Sequence, residues 1–256
     1  MNRLIKAEWY KLLRSTKIFW FTLAAIIGIE VWIFSGLANT LKGHLTLDAY
    51  ITGNSTMIVL GAFMGVILLA INCCMTPAKR LIYYEVMDGN SPITIINSRI
   101  VFYGLIFAVI YLAPVTVMYA IVGIHNGVGE YDLISYFISM FIILAKQMVL
   151  GILTALLFRK FWGPAIIFAV TEIGFMGYLI IGEITGMDSF LIKLMSFTTI
   201  GQSIEFTGMI ISGSNTTTVL LENPADYLPK VIVATVIEVG LVYCLTYRKF
   251  RKRRYM

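Results

Sequence analysis

The sequence predicts an all-α integral membrane protein with six transmembrane helices and both termini in the cytoplasm. Three observations carry that prediction: an apolar excess, six apolar runs of spanning length, and a lopsided placement of cations between them. Of the 256 residues, 59% are apolar and 13% charged, with a mean hydropathy of +0.84. A soluble domain is about half apolar and a quarter charged. With so few polar residues a soluble core of this size cannot be covered, so the surplus faces lipid and soluble enzyme folds are excluded.

The six runs are Ile18 to Ala38, Met57 to Met75, Ile100 to Ile124, Leu133 to Phe158, Gly163 to Ile184 and Val231 to Tyr247. Each approaches the roughly 20 residues that cross a hydrocarbon core as a helix. The first follows Arg3, Lys6, Lys11, Arg14 and Lys17 but outruns the apolar core of a secretory signal, so it is expected to be retained. Alternate connections then separate by charge. One side carries those cations, Lys79, Arg80 and Arg99, Arg159 and Lys160, and the run from Arg248 to Arg254, which is 16 of the 20 Lys and Arg residues. The other side carries Lys42, Lys193 and Lys230 and most of the acidic residues. Cations mark the cytoplasmic face, which places the chain as a multi-pass protein of the plasma membrane, a bacterial cytoplasmic membrane by expectation. The net charge of +6 sits at membrane exits without a basic-aromatic motif, so no nucleic-acid partner is expected.

The whole chain reads as one transmembrane domain, residues 1–256, with three segments of note between the spans. Residues 1–17 place Leu4, Ile5, Trp9, Leu12 and Leu13 on one stripe, the pattern of an amphipathic helix lying on the cytoplasmic surface, or of an ordinary cationic flank. Residues 76–99 carry Lys79, Arg80, Tyr83, Tyr84, Glu85 and Asp88 ahead of Gly89-Asn90-Ser91-Pro92, which ends a helix. This is a docking element for a cytosolic partner or a solvated loop. Residues 185–230 are largely apolar, with two short runs interrupted by Gly201, Gly208 and Gly213. Both are too short to span, so two re-entrant external helices are expected there, followed by an aqueous loop over 212–229.

No nucleotide-binding, zinc-protease or dinucleotide motif occurs, and His44 and His125 lie in external loops. The protein is therefore not expected to be catalytic by itself or to hold a metal. Cys73, Cys74 and Cys244 lie inside apolar runs and read as small core residues. Four ionisable groups fall within spans: Glu30, Lys146, Glu172 and Glu238. Each costs roughly 2.5–3.5 kcal/mol at a helix centre unless it faces protein or water. They are either a buried packing device, with Lys146 held by a carboxylate, or the lining of a translocation path. Gly61 and Gly65 form a small patch suited to close helix contact.

Two motifs carry a family resemblance: Ala7-Glu8-Trp9-Tyr10-Lys11-Leu12-Leu13-Arg14 ahead of the first span, and Glu85, Asp88-Gly89-Asn90-Ser91-Pro92 and Asn97-Ser98-Arg99 ahead of the third. With the layout of spans, the chain resembles over its whole length the type-2 permeases of ATP-binding-cassette exporters. Its turn is Gly-Asn-Ser where the family has a Gly-Thr-like turn, and Tyr103 stands near the position of a frequent lysine. In size and layout it is closest to the lantibiotic and bacitracin self-protection permeases. The resemblance implies a separate cytosolic ATPase subunit that binds ATP and Mg, and a second permease chain, identical or paralogous. It implies that Arg80 to Asp88, with Tyr83, Tyr84 and Glu85, forms a coupling helix, that Arg99 belongs to the same coupling loop, and that Arg159 to Trp162, with Lys160, is a second ATPase contact. The resemblance further implies that Gly186 to Gly213 closes the path externally and that the cargo is an antimicrobial or other amphipathic peptide or a lipophilic compound. An ion-coupled secondary transporter using Glu30, Glu172 and Glu238, or a non-transporting assembly subunit, remains the alternative.

Overall fold

The computed structural model describes residues 2–14, 16–35, 41–43, 46–47, 50–51, 61–62, 64–70, 89–127, 132–158, 177, 180–181, 184, 190–199, 201–202, 209–212, 215–218 and 224–254. Most of the second and fifth expected spans lie outside these residues. So do Arg80, Tyr83, Tyr84, Glu85, Asp88, Arg159, Lys160, Glu172, Cys73 and Cys74.

The described chain is predominantly α-helical. Helix α1 covers Asn2–Arg14 and α2 Thr16–Ser35, the latter falling on the first expected span. Helix α3 runs Pro92–Phe107, passes through a π turn at Ala108–Leu112, and continues as α4, Ala113–Asn126. The long α5 is Leu133–Phe158, the short α6 is Phe190–Met195, and α7 is Pro224–Arg254. Among the described residues three helical stretches are long and apolar enough to cross a membrane: Pro92–Asn126, Ile134–Phe158 and Ala225–Arg251.

Local chemistry sets the ends of these helices. Gly89 adopts φ +81°, a conformation open to glycine, and Ser91 then caps α3 by accepting the Thr94 N–H at 3.2 Å. Pro92 takes the first turn, where its missing N–H costs nothing. The sequence marks this Gly-Asn-Ser-Pro stretch as a stop; its last two residues are a start. Helix α3 consequently begins well before Ile100, and Asn97 to Arg99 belong to the helix rather than to the loop expected over 76–99. The π turn ends at Leu112, two residues before Pro114, which has no N–H to continue the α ladder. At the far end Gly127, at φ +88°, donates its N–H to the Gly123 carbonyl and stops α4. Asp132 opens α5 by accepting the Ser135 N–H at 3.3 Å.

Packing centres on α5. Its buried face, with Tyr136, Met140, Ile143, Leu144, Ile152 and Leu156, meets Phe102, Phe107, Tyr111, Val115 and Met118 of α3, the π turn and α4. Helix α7 lies along α5. The two are tied by Thr246 Oγ1 donating to the Leu153 carbonyl at 3.3 Å and by Lys249 Nζ donating to Leu157 O, a cation at the negative end of α5. Ile232, Val233, Val236, Ile237, Leu241 and Leu245 of α7 are exposed, as a lipid-facing surface requires. Cys244 lies among them. The expectation of a core thiol fails here because an apolar run in a membrane protein faces lipid as well as protein.

Ahead of the second span's helical residues, Tyr50 is fully buried, its hydroxyl 3.8 Å from Met118 Sδ, and burial pushes its phenol above the usual range. A Cβ added at Gly65 would meet Phe107 at 3.8 Å and Ile26 at 4.0 Å, ordinary van der Waals distances. The tighter approach is at Gly151, where an added Cβ would stand 2.4 Å from Val66 Cγ1, a stiff β-branched neighbour. Gly151→Ala is therefore expected to lose roughly 1–3 kcal/mol, while Gly65→Ala stays neutral or gains slightly. Thermal unfolding of the two variants in mild detergent checks the difference.

One departure from the expected helices falls in the apolar segment over 185–230. Met209–Ser212 and Asn215–Thr218 form an antiparallel two-stranded hairpin, with Met209 opposite Thr218 and Ser212 opposite Asn215. The second of the two short runs thus contains a strand, where a helix is expected from its apolarity alone.

Candidate functional site

Two buried ion pairs bring together residues that the sequence singles out separately. The first joins α1 to α3. Glu8 Oε1 accepts Arg99 Nη2 at 3.0 Å and Nε at 3.1 Å, while Tyr103 OH donates to Oε2 at 3.5 Å. Arg99 is 1% exposed and Glu8 2%, although they stand 91 residues apart in sequence. Leu4 and Glu8, one turn apart, form the inward face of α1. Glu8 lies off the apolar stripe of Leu4, Ile5 and Trp9 read from the sequence. Trp9 and Tyr10 are exposed, with the Trp9 ring edge-on to Phe102 at 6.2 Å, a placement suited to a membrane interface. Asn97, of the same motif, accepts from Tyr243 OH of α7 at 2.9 Å.

The second site is at mid-helix. Lys146 lies about 20 Å along α5 from Leu133, and Glu238 about 21 Å along α7 from Pro224, at 1.5 Å per residue. Lys146 Nζ stands 3.1 Å from Glu238 Oε2 and donates also to Gln202 Oε1. Thr199 donates twice to the same carboxylate, through its N–H to Oε1 at 3.0 Å and its hydroxyl to Oε2 at 2.5 Å. Tyr227 OH donates to the Gln202 carbonyl at 3.4 Å. The Lys146 side chain is wholly buried; that of Glu238 is 26% exposed.

The chain between α6 and Gln202 is held in a tight turn at this depth. Thr198 donates its N–H to Met195 O, Gln202 donates to Thr198 O, and Gly201 N–H donates to Thr198 Oγ1 at 3.1 Å. A Cβ on Gly201 would lie 2.2 Å from the Met195 carbonyl oxygen, so the turn closes only around glycine. Where the helix is broken, every one of these N–H groups finds an acceptor in protein, which membrane depth demands. On one side Ile192 is buried; Phe190, Leu191, Leu194 and Phe197 are exposed on the other. Lys230 sits over the rings of Phe197 and Tyr227 at 5.4 and 5.2 Å.

Of the remaining site candidates, Glu30 is half-buried on α2, and its Oε1 has no hydrogen-bond partner among the described residues. The structure does not bring it into the Lys146 network. Glu172 and the coupling residues Arg80, Tyr83, Tyr84, Glu85, Asp88, Arg159 and Lys160 lie outside the described residues. Among the described residues no group of His, Cys, Asp and Glu is placed to hold a metal. Thr199 and Gln202 are the site residues that sequence reasoning missed. The available signal is the concentration of polar residues Ser196, Thr198, Thr199, Gln202 and Ser203 between the largely apolar Leu191 to Met195 and the apolar Met209 to Ile211.

Compared with family models, curated proteins and solved structures, the chain finds no match in any of the three.

Proposed function

We propose that the chain is the membrane-spanning permease subunit of an ATP-binding-cassette exporter, with six spans and cytoplasmic termini in a bacterial plasma membrane. It works as one of two permease chains beside a separate ATPase subunit that binds ATP and Mg. Its cargo is an antimicrobial or other amphipathic, membrane-partitioning peptide.

The observation that supports this reading is the Glu8–Arg99 pair. It joins the two motifs on which the resemblance rests, Glu8 in the first on α1 and Arg99 in the second on α3, by a buried contact. A push on the segment ahead of Pro92 reaches α3 directly, and the ion pair carries α1 with it. An element at the membrane surface and a spanning helix then move as one body, as a rocking permease requires. The turn held by Glu238 supports an external closure in the same way, since broken backbone at mid-membrane is tolerated only against protein or a water-filled path.

A test of the coupling role replaces Glu85 and Asp88 together by Ala. The double variant is expected to reach the membrane normally and to retain ATP hydrolysis in the complex while export falls by roughly an order of magnitude or more. Export at the wild-type rate would refute coupling through this loop.

The ion-coupled reading has one observation of its own, Oε1 of Glu30, which has no hydrogen-bond partner among the described residues. In that reading Glu30→Gln abolishes uptake or export driven by a proton or sodium gradient with no nucleotide present; in the permease reading no such gradient-driven transport exists.

A further inference from the structure

The turn between α6 and Gln202 is bonded within itself and tied to the neighbouring helices at two residues, Thr199 and Gln202, among the described residues. Its internal bonds are Ser196 N–H to Ile192 O, Thr198 N–H to Met195 O and Gln202 N–H to Thr198 O. Outward, its polar attachments among the described residues converge on Glu238 through Thr199, with Lys146 and Tyr227 reaching Gln202. Both Thr199 donors go to one carboxylate, whose position is fixed in turn by the buried ammonium of Lys146.

From this convergence we infer that Glu238, positioned by Lys146, is a latch that holds the turn bearing Thr199 and Gln202 at mid-helix depth and lets it move outward when Thr199 leaves the carboxylate and Gln202 leaves Lys146 and Tyr227. After release Glu238 still has Lys146 as its counter-ion, so no buried charge is left alone in either position. The turn's internal bonds leave with it, so of its bonded N–H groups only that of Thr199 gives up its acceptor in the movement. The inference rests on the permease reading only for what the turn closes, namely the outer end of the path.

The test uses the full chain in right-side-out membrane vesicles, with Cys73, Cys74 and Cys244 changed to Ser and one reporter, Ser196→Cys, introduced. Ser196 is 2% exposed in the latched turn, and its hydroxyl faces the Lys193 carbonyl, a place that a thiol fills. A membrane-impermeant maleimide added outside should label this thiol slowly. Thr199→Val removes one of the two bonds and leaves the ion pair intact, so it is the variant least disturbing to the fold. It should raise the labelling rate roughly tenfold, and the charge-neutral Lys146→Met/Glu238→Leu double variant roughly a hundredfold. Unchanged labelling in Thr199→Val and in a normally abundant double variant would overturn the latch, and so would loss of the double variant from the membrane, which marks a fixed structural tie. Copurification of an ATPase from the same vesicles reads the permease assignment separately: faster labelling without a bound ATPase upholds the latch and removes the permease reading.

Discussion

Glu8→Ala is expected to be among the most damaging single substitutions in the chain, removing roughly 3–5 kcal/mol. The reason lies in what remains. Arg99 is 1% exposed, its guanidinium cannot shed its proton, and Glu8 is its ion-pair partner in the structure. Taking the carboxylate away leaves a buried cation between α1 and α3. The converse change, Arg99→Leu, leaves a carboxylate with Tyr103 as a donor and should cost somewhat less. Neutralising both, Glu8→Leu with Arg99→Leu, should recover most of the loss, because well-packed apolar replacements of a buried pair are often neutral. Membrane abundance and thermal unfolding in mild detergent measure all three. If Glu8→Ala unfolds at the wild-type temperature, the pair does not hold α1 to α3.

The second large effect is an asymmetry at the mid-helix pair of Lys146 and Glu238. Glu238→Leu strips a wholly buried ammonium of its counter-ion and removes both acceptors of Thr199, so a loss of roughly 3–5 kcal/mol is expected. Lys146→Met leaves a carboxylate that is 26% exposed and still accepts both Thr199 bonds, and should cost only about 1–3 kcal/mol. The double variant Lys146→Met/Glu238→Leu should fall nearer wild type than Glu238→Leu alone. A double-mutant cycle on detergent-solubilised protein gives the coupling energy. Equal losses for the two single variants, adding without coupling in the double, would show that the two charges do not act on one another.

Much of the helical fold is legible in the sequence because apolar run length measures what the membrane must cover. Leu133 to Phe158 matches α5 at both ends, since Asp132 caps one end and the run stops with the helix at the other. The match fails where a helix extends beyond its apolar part. Helix α3 starts at Pro92 because Ser91 caps it, and α7 covers Pro224–Arg254 although its apolar stretch is Val231 to Tyr247. The hairpin was legible in principle. Thr216 to Thr218 is β-branched, and two residues, Gly213 and Ser214, separate the strands, but apolarity alone reads Met209 to Ile211 as helix.

The site is less legible, for a physical reason. Insertion cost announces that Lys146 and Glu238 need partners, and a carboxylate for Lys146 is foreseeable. Nothing in a one-dimensional pattern says that Glu238 also holds Thr199, because that contact is made by a turn whose position depends on the packing of α6 against the bundle. Glu8 and Arg99 are both conspicuous within their motifs, yet the stripe of α1 points to its apolar residues and conceals the one carboxylate that is buried.

The most direct test of the permease assignment is affinity purification of the chain from native membranes in mild detergent, with identification and quantification of bound proteins and an ATPase assay on the eluate. The account predicts a cytosolic ATPase carrying a nucleotide-binding motif at near-equal stoichiometry to permease chains, with either a second permease or a second copy of this chain. A stable complex with no nucleotide-binding subunit and no ATPase activity would contradict it.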